Sequence, residues 1–434
     1  MSKTLKATWR KHHTILGNFF SLSVLQVATY LAPVITLPYL VRVLGPSRFG
    51  LVELAHAVAV YLVILTDYGF NLSATREISL CRNDSKRLSE IFSAVMLLKL
   101  LLTVASLIAL AGAVLAVPKL RGDWAVYLLA FGTVIGQCLF PIWLFQGLER
   151  MKYTAILTIL SKLVITVSIF VFIRQSDDYI YVPVLESVGT IAMGLAGLLV
   201  ALREFPVRFA PPSRALLRQE LAEGWHLFIS KMSITLYTTS NTVILGLFTN
   251  NTFVAYYVAG EKIVRAIQGL QLPLSQAVYP YIGKLAAESK DAALAFAARM
   301  TEIVGIVALA LSVGLFFAAE PLGRLILGGQ FDASVPVIRI LSLLPFVCSL
   351  SNIFGVQIMI NFGLKKTLTK ILAIAGVVNV VLVFILVAPL HHVGVSIAVL
   401  LTEVSIAIAT YVALRQNGLD VFRRHRNTEP DHGL

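Results

Sequence analysis

Apolar stretches of about 20 residues recur along the chain from position 15 to position 414, each long enough to cross the ~30 Å hydrocarbon layer of a bilayer as a helix. No water-soluble domain can hide so many runs of that length. A mean hydropathy of +0.82 with 57% hydrophobic and only 14% charged residues agrees. The runs are continuous rather than alternating, so they predict helices and exclude a membrane barrel.

The predicted spans are 15–40, 51–70, 91–117, 124–148, 153–173 and 179–202, then 225–248, 253–282, 300–319, 336–364, 368–387 and 393–414. The fold class is therefore all-α: a polytopic membrane protein of about twelve transmembrane helices. The longest polar connection, 203–224, divides them six and six. Its Ser-Arg-Ala-Leu-Leu-Arg-Gln-Glu-Leu run from Ser213 predicts an amphipathic helix on the cytoplasmic surface. The expected organisation is an N-terminal lobe (1–202), a cytoplasmic linker (203–224), a C-terminal lobe (225–414) and a cytoplasmic tail (415–434). Each half holds an even number of spans, so a repeat between them would be parallel, not inverted. The first apolar run is too long for a cleavable signal and leads straight into further spans.

Lys and Arg are retained on the cytoplasmic side during insertion. Most of the 36 fall in the N-terminal segment, in alternate loops such as 76–87, 203–218 and 284–299, and in the C-terminal tail. The opposite loops hold only Arg42, Arg48, Lys119, Arg121, Arg174, Arg324 and Arg339. Both termini are thus expected in the cytoplasm. The formal charge of +13 is explained by topology and anionic lipid headgroups, without nucleic acid. Cys81, Cys138 and Cys348 are too scattered for a disulfide framework or metal cluster and are expected to be free thiols.

Ionisable residues within spans are the sharpest functional clue, because each costs about 2.5–3.5 kcal/mol near the bilayer centre unless it meets a cavity or partner. Lys231, Lys99 and Lys162 sit at increasing depth from the cytoplasmic face, where snorkelling competes with a cavity-facing role. Lys262 and Arg265 share one helical face near the middle of the eighth span and together suit a diphosphate. Glu261, four residues before Arg265, offers the competing reading of an internal ion pair. Glu53, Glu186 and Glu403 are span carboxylates that would serve as proton-coupling groups in a cavity. Pro33, Pro38, Pro273 and Pro345 permit bends. Trp9, Trp124, Trp143, Tyr179, Tyr256 and Tyr257 fall near predicted helix ends, as an interfacial belt would. Zinc-protease, phosphate-loop and serine-elbow signatures are missing from the sequence, so no catalytic residue, metal or cofactor is expected. His391-His392 reads as an outer turn.

Several segments resemble one family: Leu-Gly-Pro-Ser-Arg-Phe-Gly at 44–50, Asp-Tyr-Gly-Phe-Asn-Leu-Ser-Ala-Thr-Arg-Glu-Ile-Ser at 67–79, Trp-Leu-Phe-Gln-Gly-Leu-Glu-Arg-Met at 143–151, Ala-Tyr-Tyr-Val-Ala-Gly-Glu-Lys-Ile-Val-Arg at 255–265, Ser-Gln-Ala-Val-Tyr-Pro-Tyr at 275–281, and Gly-Gly-Gln-Phe at 328–331. The chain resembles the Wzx-type flippases of O-antigen and exopolysaccharide units, within the multidrug, oligosaccharidyl-lipid and polysaccharide exporter superfamily. The resemblance implies two six-helix lobes around a central cavity in the bacterial inner membrane. It implies undecaprenyl diphosphate-linked oligosaccharide as substrate, moved to the periplasmic leaflet, with membrane lipids, a polysaccharide polymerase and a chain-length regulator as partners. It carries Glu261, Lys262 and Arg265 over as site residues, and Arg76, Trp143, Gln146, Gly147 and Glu149 as motif members. The competing reading is a multidrug or cation antiporter of the same superfamily, against which stand the cationic spans and a first span without a carboxylate.

Overall fold

A computed structural model describes the backbone of residues 3–269 and 271–422, and the side chains within them except at 3–32, 272–274 and 277. Trp9, Pro273, the basic residues before position 33 and the tail beyond 422 lie outside the described side chains. Helices carry the described residues and no strand occurs among them. The protein is an all-α, polytopic membrane protein.

Among the described residues, eight helical stretches are long and apolar enough to cross a membrane, including Pro33–Leu80, Ser85–Ala116, Met151–Phe172 and Lys365–Gln416. The last has 52 residues, about 78 Å at 1.5 Å per residue and more than twice the hydrocarbon thickness. It is divided by His391, whose φ of 47° is not helical. The helix Lys3–Asp67 is divided the same way at Gly45, with φ 69° and Pro46 following as the first residue of the next segment. The predicted spans 225–248 and 253–282 are helical but fall outside the eight. Charges such as Lys231, Lys262 and Arg265 lower their apolarity, and each is broken, at Thr239 and after Gly269.

The chain packs into two compact units: Met1–Ala259 with Ile326–Phe331, and Gly260–Leu325 with Asp332–Leu434. In the first unit, Gly132 and Gly136 let the Gly132–Leu139 helix lie directly on Tyr181–Glu204. A Cβ on Gly136 would meet the Thr190 carbonyl carbon at 2.4 Å, and one on Gly194 would meet the Gly136 oxygen at 2.4 Å. Small residues at four-residue spacing allow such backbone contact between membrane helices. Deeper packing is aromatic: Phe70, Phe92, Trp143 and Phe145 are all fully buried in one cluster.

That burial corrects the interfacial-belt reading for two residues. Trp143 and Tyr257 are each 0% exposed and belong to the packed interior, whereas Trp124 is 55% exposed. Position along a helix does not distinguish lipid-facing from protein-facing side chains, and here neighbouring helices cover the rings.

In the second unit the core around Phe354, Ile358, Met359 and Leu414 includes a π-helix, Asn352–Met359. The wider turn carries a polar run. Ser275 donates to Asn352 Oδ1 at 2.7 Å, and Gln357 Nε2 donates to Ser275 Oγ at 2.9 Å.

Candidate functional site

The first helix ends at Asp67 because Tyr68 (φ 44°) and Gly69 (φ 88°) leave the helical region before Phe70–Leu80 begins. The break turns the Asp67 side chain into the packed interior, where it is 7% exposed. Two donors and a second cation meet it: Lys231 Nζ donates to Oδ2 at 2.8 Å, Asn71 Nδ2 donates to the same oxygen at 2.8 Å, and the Lys99 ammonium forms an ion pair with Oδ1 at 3.7 Å. Lys99 also donates to the Gln137 carbonyl at 3.1 Å.

Sequence reasoning placed Lys99 and Lys231 separately; the structure brings both to one carboxylate that it had not singled out. Lys99 is 2% exposed and its ammonium does not reach solvent, so snorkelling is not its role. Burying an ammonium and a carboxylate is tolerated because each answers the other and the remaining donors find acceptors. Lys231 differs in being 46% exposed. The cluster holds two cations and one anion, and of the two lysines only Lys231 is substantially exposed. A flexible ammonium in that position can exchange its carboxylate for another anionic oxygen, such as a phosphate.

Lys162 belongs elsewhere in the same unit. It faces Glu186, whose Oε2 lies 3.6 Å from His56 Nδ1. His56 is half exposed, and Glu53 stands three residues before it on the same helical face.

In the second unit, Arg265 donates from Nε and Nη2 to Glu261 Oε1, both at 3.3 Å, and from Nη1 to Gln268 Oε1 at 3.1 Å. Glu403 feels the Arg265 charge and interacts with Cys348. Lys262 is half-buried on the adjoining position. The guanidinium is thus engaged by two residues of its own helix, with the Glu403 carboxyl close enough to feel its charge.

The motif at 143–151 serves packing. The Thr75 hydroxyl, which donates to the Asn71 carbonyl at 2.6 Å, lies 3.2 Å from the Trp143 carbonyl and 3.4 Å from Gln146 Oε1, and a Cβ on Gly147 would meet Ile78 Cγ2 at 2.5 Å. Glu149, with φ 58°, accepts from Arg82 Nη2 at 2.7 Å. Together these contacts fix the helix that follows Asp67; Arg76 lies exposed on it.

Asp67, Asn71, His56 and Gln268 are the residues that sequence reasoning did not bring into a site. For Asp67 the signal was present, a carboxylate closing an apolar span immediately before Tyr-Gly. Its partner Lys231 lies 164 positions away, which no local pattern reports.

Residues 15–286 match the model of a family described as polysaccharide biosynthesis protein. The chain is 33% identical over 402 residues to a protein of Escherichia coli (strain K12), covering 93% of this chain and 97% of that one. It is 29% identical over 401 residues to one of Shigella dysenteriae, covering 92% and 99%. Both bear the name "Putative O-antigen transporter". Among solved structures, the fold is similar to the lipid II flippase MurJ in an inward closed conformation, with TM-score 0.71 and 12% identity over 92% of this chain and 87% of that one. It is also similar to an inward-facing multidrug resistance MATE family transporter, with TM-score 0.67 and 16% identity over 93% and 98%.

Proposed function

Because the chain belongs to the polysaccharide biosynthesis protein family, we propose that it is the flippase that moves undecaprenyl diphosphate-linked oligosaccharide units from the cytoplasmic to the periplasmic leaflet of the bacterial inner membrane. Its relatives are named as transporters of O-antigen, and it is a membrane transporter rather than an enzyme. The proposed topology is twelve spans with both termini in the cytoplasm, the halves 1–202 and 225–414 exposing the substrate path alternately to either side.

The observation that carries this reading is the Asp67 cluster, where two lysines share one carboxylate and one of them, Lys231, is half exposed. Sugars and a diphosphate cannot enter hydrocarbon unaided, whereas a polar path with an available cation can take both while the polyprenyl chain remains in lipid. In the proposed cycle the diphosphate displaces Asp67 from Lys231, and Lys99 holds Asp67 in place meanwhile. Release on the far side restores the Lys231–Asp67 bond, which resets the carrier. Arg265 and Lys262 act later on the same substrate, with Glu403 as the competing anion that limits how tightly it is held.

The same cluster disfavours a receptor for cationic drugs, since its buried carboxylate is already answered twice over. The test is complementation of a bacterial strain lacking its own O-unit flippase, scoring surface polysaccharide. Wild type restores it, while Lys231→Ala at equal expression does not. Full restoration by Lys231→Ala would discard the lysine as the diphosphate contact.

A further inference from the structure

Away from the Asp67 cluster, the first unit buries a carboxylate with no cation of its own. Glu220, in the second turn of the Arg214–Thr238 helix, is 0% exposed, and neither carboxyl oxygen has a hydrogen-bond partner. The groups facing it are largely acidic. Glu77 approaches from the Phe70–Leu80 helix, with its own Oε1 buried and unpartnered, and Glu223 lies three residues on along the same helix as Glu220. From Ser85–Ala116 comes Arg87, but its guanidinium is already 3.7 Å from Glu77 Oε2 and 3.4 Å from Glu90 Oε2. The first helix offers Asp67, which Lys99 and Lys231 hold, and the Ser240–Phe248 helix has no ionisable residue.

One shared guanidinium cannot neutralise this many acids, and two adjacent carboxylates, one of them fully buried, do not both ionise. A proton between them turns the repulsion into an O–H···O bond and supplies the donor that Glu220 and Glu77 both lack. We propose that Glu77 and Glu220 hold one proton between them, and that this proton clamps the first turns of the Arg214–Thr238 helix to the Phe70–Leu80 helix, so that the cytoplasmic linker responds to cytoplasmic pH.

Burial, with Glu77 and Glu223 adding to it, pushes the Glu220 carboxyl up to about 8. An undocked, solvated Glu220 returns to about 4.3. The docked helix therefore binds the proton more tightly. Docking is strongest at low pH, weakens about tenfold per pH unit as pH rises between these two values, and gains nothing from the proton above about 8. The clamp is closed at neutral pH and opens on alkalinisation. It acts on the helix that presents Lys231, about 16 Å further along, yet it does not depend on what Lys231 binds.

The test uses the full chain in lipid nanodiscs without substrate. Amide hydrogen exchange over 214–224, corrected for the intrinsic pH dependence of exchange, is followed from pH 7 to pH 9 beside the infrared band of a protonated carboxyl. In the wild type, exchange is expected to rise by up to about tenfold relative to the rest of the unit while the band fades. In Glu220→Gln, which keeps a donor and carries no charge, the segment stays protected at every pH and the band is missing. Should Glu220→Gln fail to fold, Glu77→Gln gives the same test, because the proton is shared. A wild type whose exchange and carboxyl band do not change with pH, or a Gln variant that opens as the wild type does, overturns the proposal.

Discussion

In the first unit two lysines converge on one carboxylate, Asp67; in the second, one guanidinium, Arg265, is bonded to Glu261 and faces Glu403. As sequence, the two regions look alike, since each presents cations inside apolar helices. As structures they differ in what the cations have left to give. Arg265 has its donors engaged by Glu261 and Gln268, whereas Lys231 is 46% exposed in a cluster with positive charge to spare. Counting cations in a membrane span therefore does not find the substrate contact; the balance of partners around each cation does.

The contrast is broken most severely at Asp67. Asp67→Ala leaves Lys99 buried without a counter-ion, and the loss of folding free energy is expected to be about 3–5 kcal/mol, read by thermal unfolding in detergent. Asp67→Ala combined with Lys99→Met should recover most of it. If the single variant is as stable as wild type, the buried pair is not what holds Lys99. Arg265→Ala is expected to cost less, about 1–3 kcal/mol, because it leaves Glu261 and Gln268 short of a donor while solvent reaches part of the site. Pairing it with Glu261→Ala should bring unfolding back towards wild type. Equal losses at Asp67 and Arg265 would erase the distinction between the two clusters.

The smallest stability effect is expected at Lys231. Lys99 and Asn71 still answer Asp67 when Lys231 is removed, so Lys231→Ala should change stability by less than about 1 kcal/mol, as for a partly exposed ion pair. The same variant is expected to show the largest loss of transport. That separation of stability from activity is the mark of a cation kept for substrate. A parallel fall in both would make Lys231 a packing residue.

The fold was legible because its constraint is local: 20 apolar residues declare a span whatever lies beside them. The segments 225–248 and 253–282 were harder, since Lys231, Lys262 and Arg265 dilute their apolarity, and Lys231 meets Asp67 only in the folded chain. Much of the site was half legible. Lys99 and Lys231 stood out as costly charges, but Asp67 sat at a span end, where carboxylates are ordinary. Glu220 lay in an amphipathic linker where exposure was the natural expectation, and only folding buries it against Glu77. Trp143 and Tyr257 failed as belt residues for the same reason, because burial is decided by neighbouring helices and not by distance from a helix end.

The most direct measurement is translocation of a lipid-linked oligosaccharide by the purified chain in vesicles, comparing wild type, Lys231→Arg and Lys231→Ala at equal incorporation. If Lys231 takes the diphosphate from Asp67, wild type moves the lipid, Lys231→Arg retains a measurable fraction, and Lys231→Ala falls to the level of empty vesicles. Wild-type rates in Lys231→Ala, or no movement by any of the three, would contradict the proposed carrier.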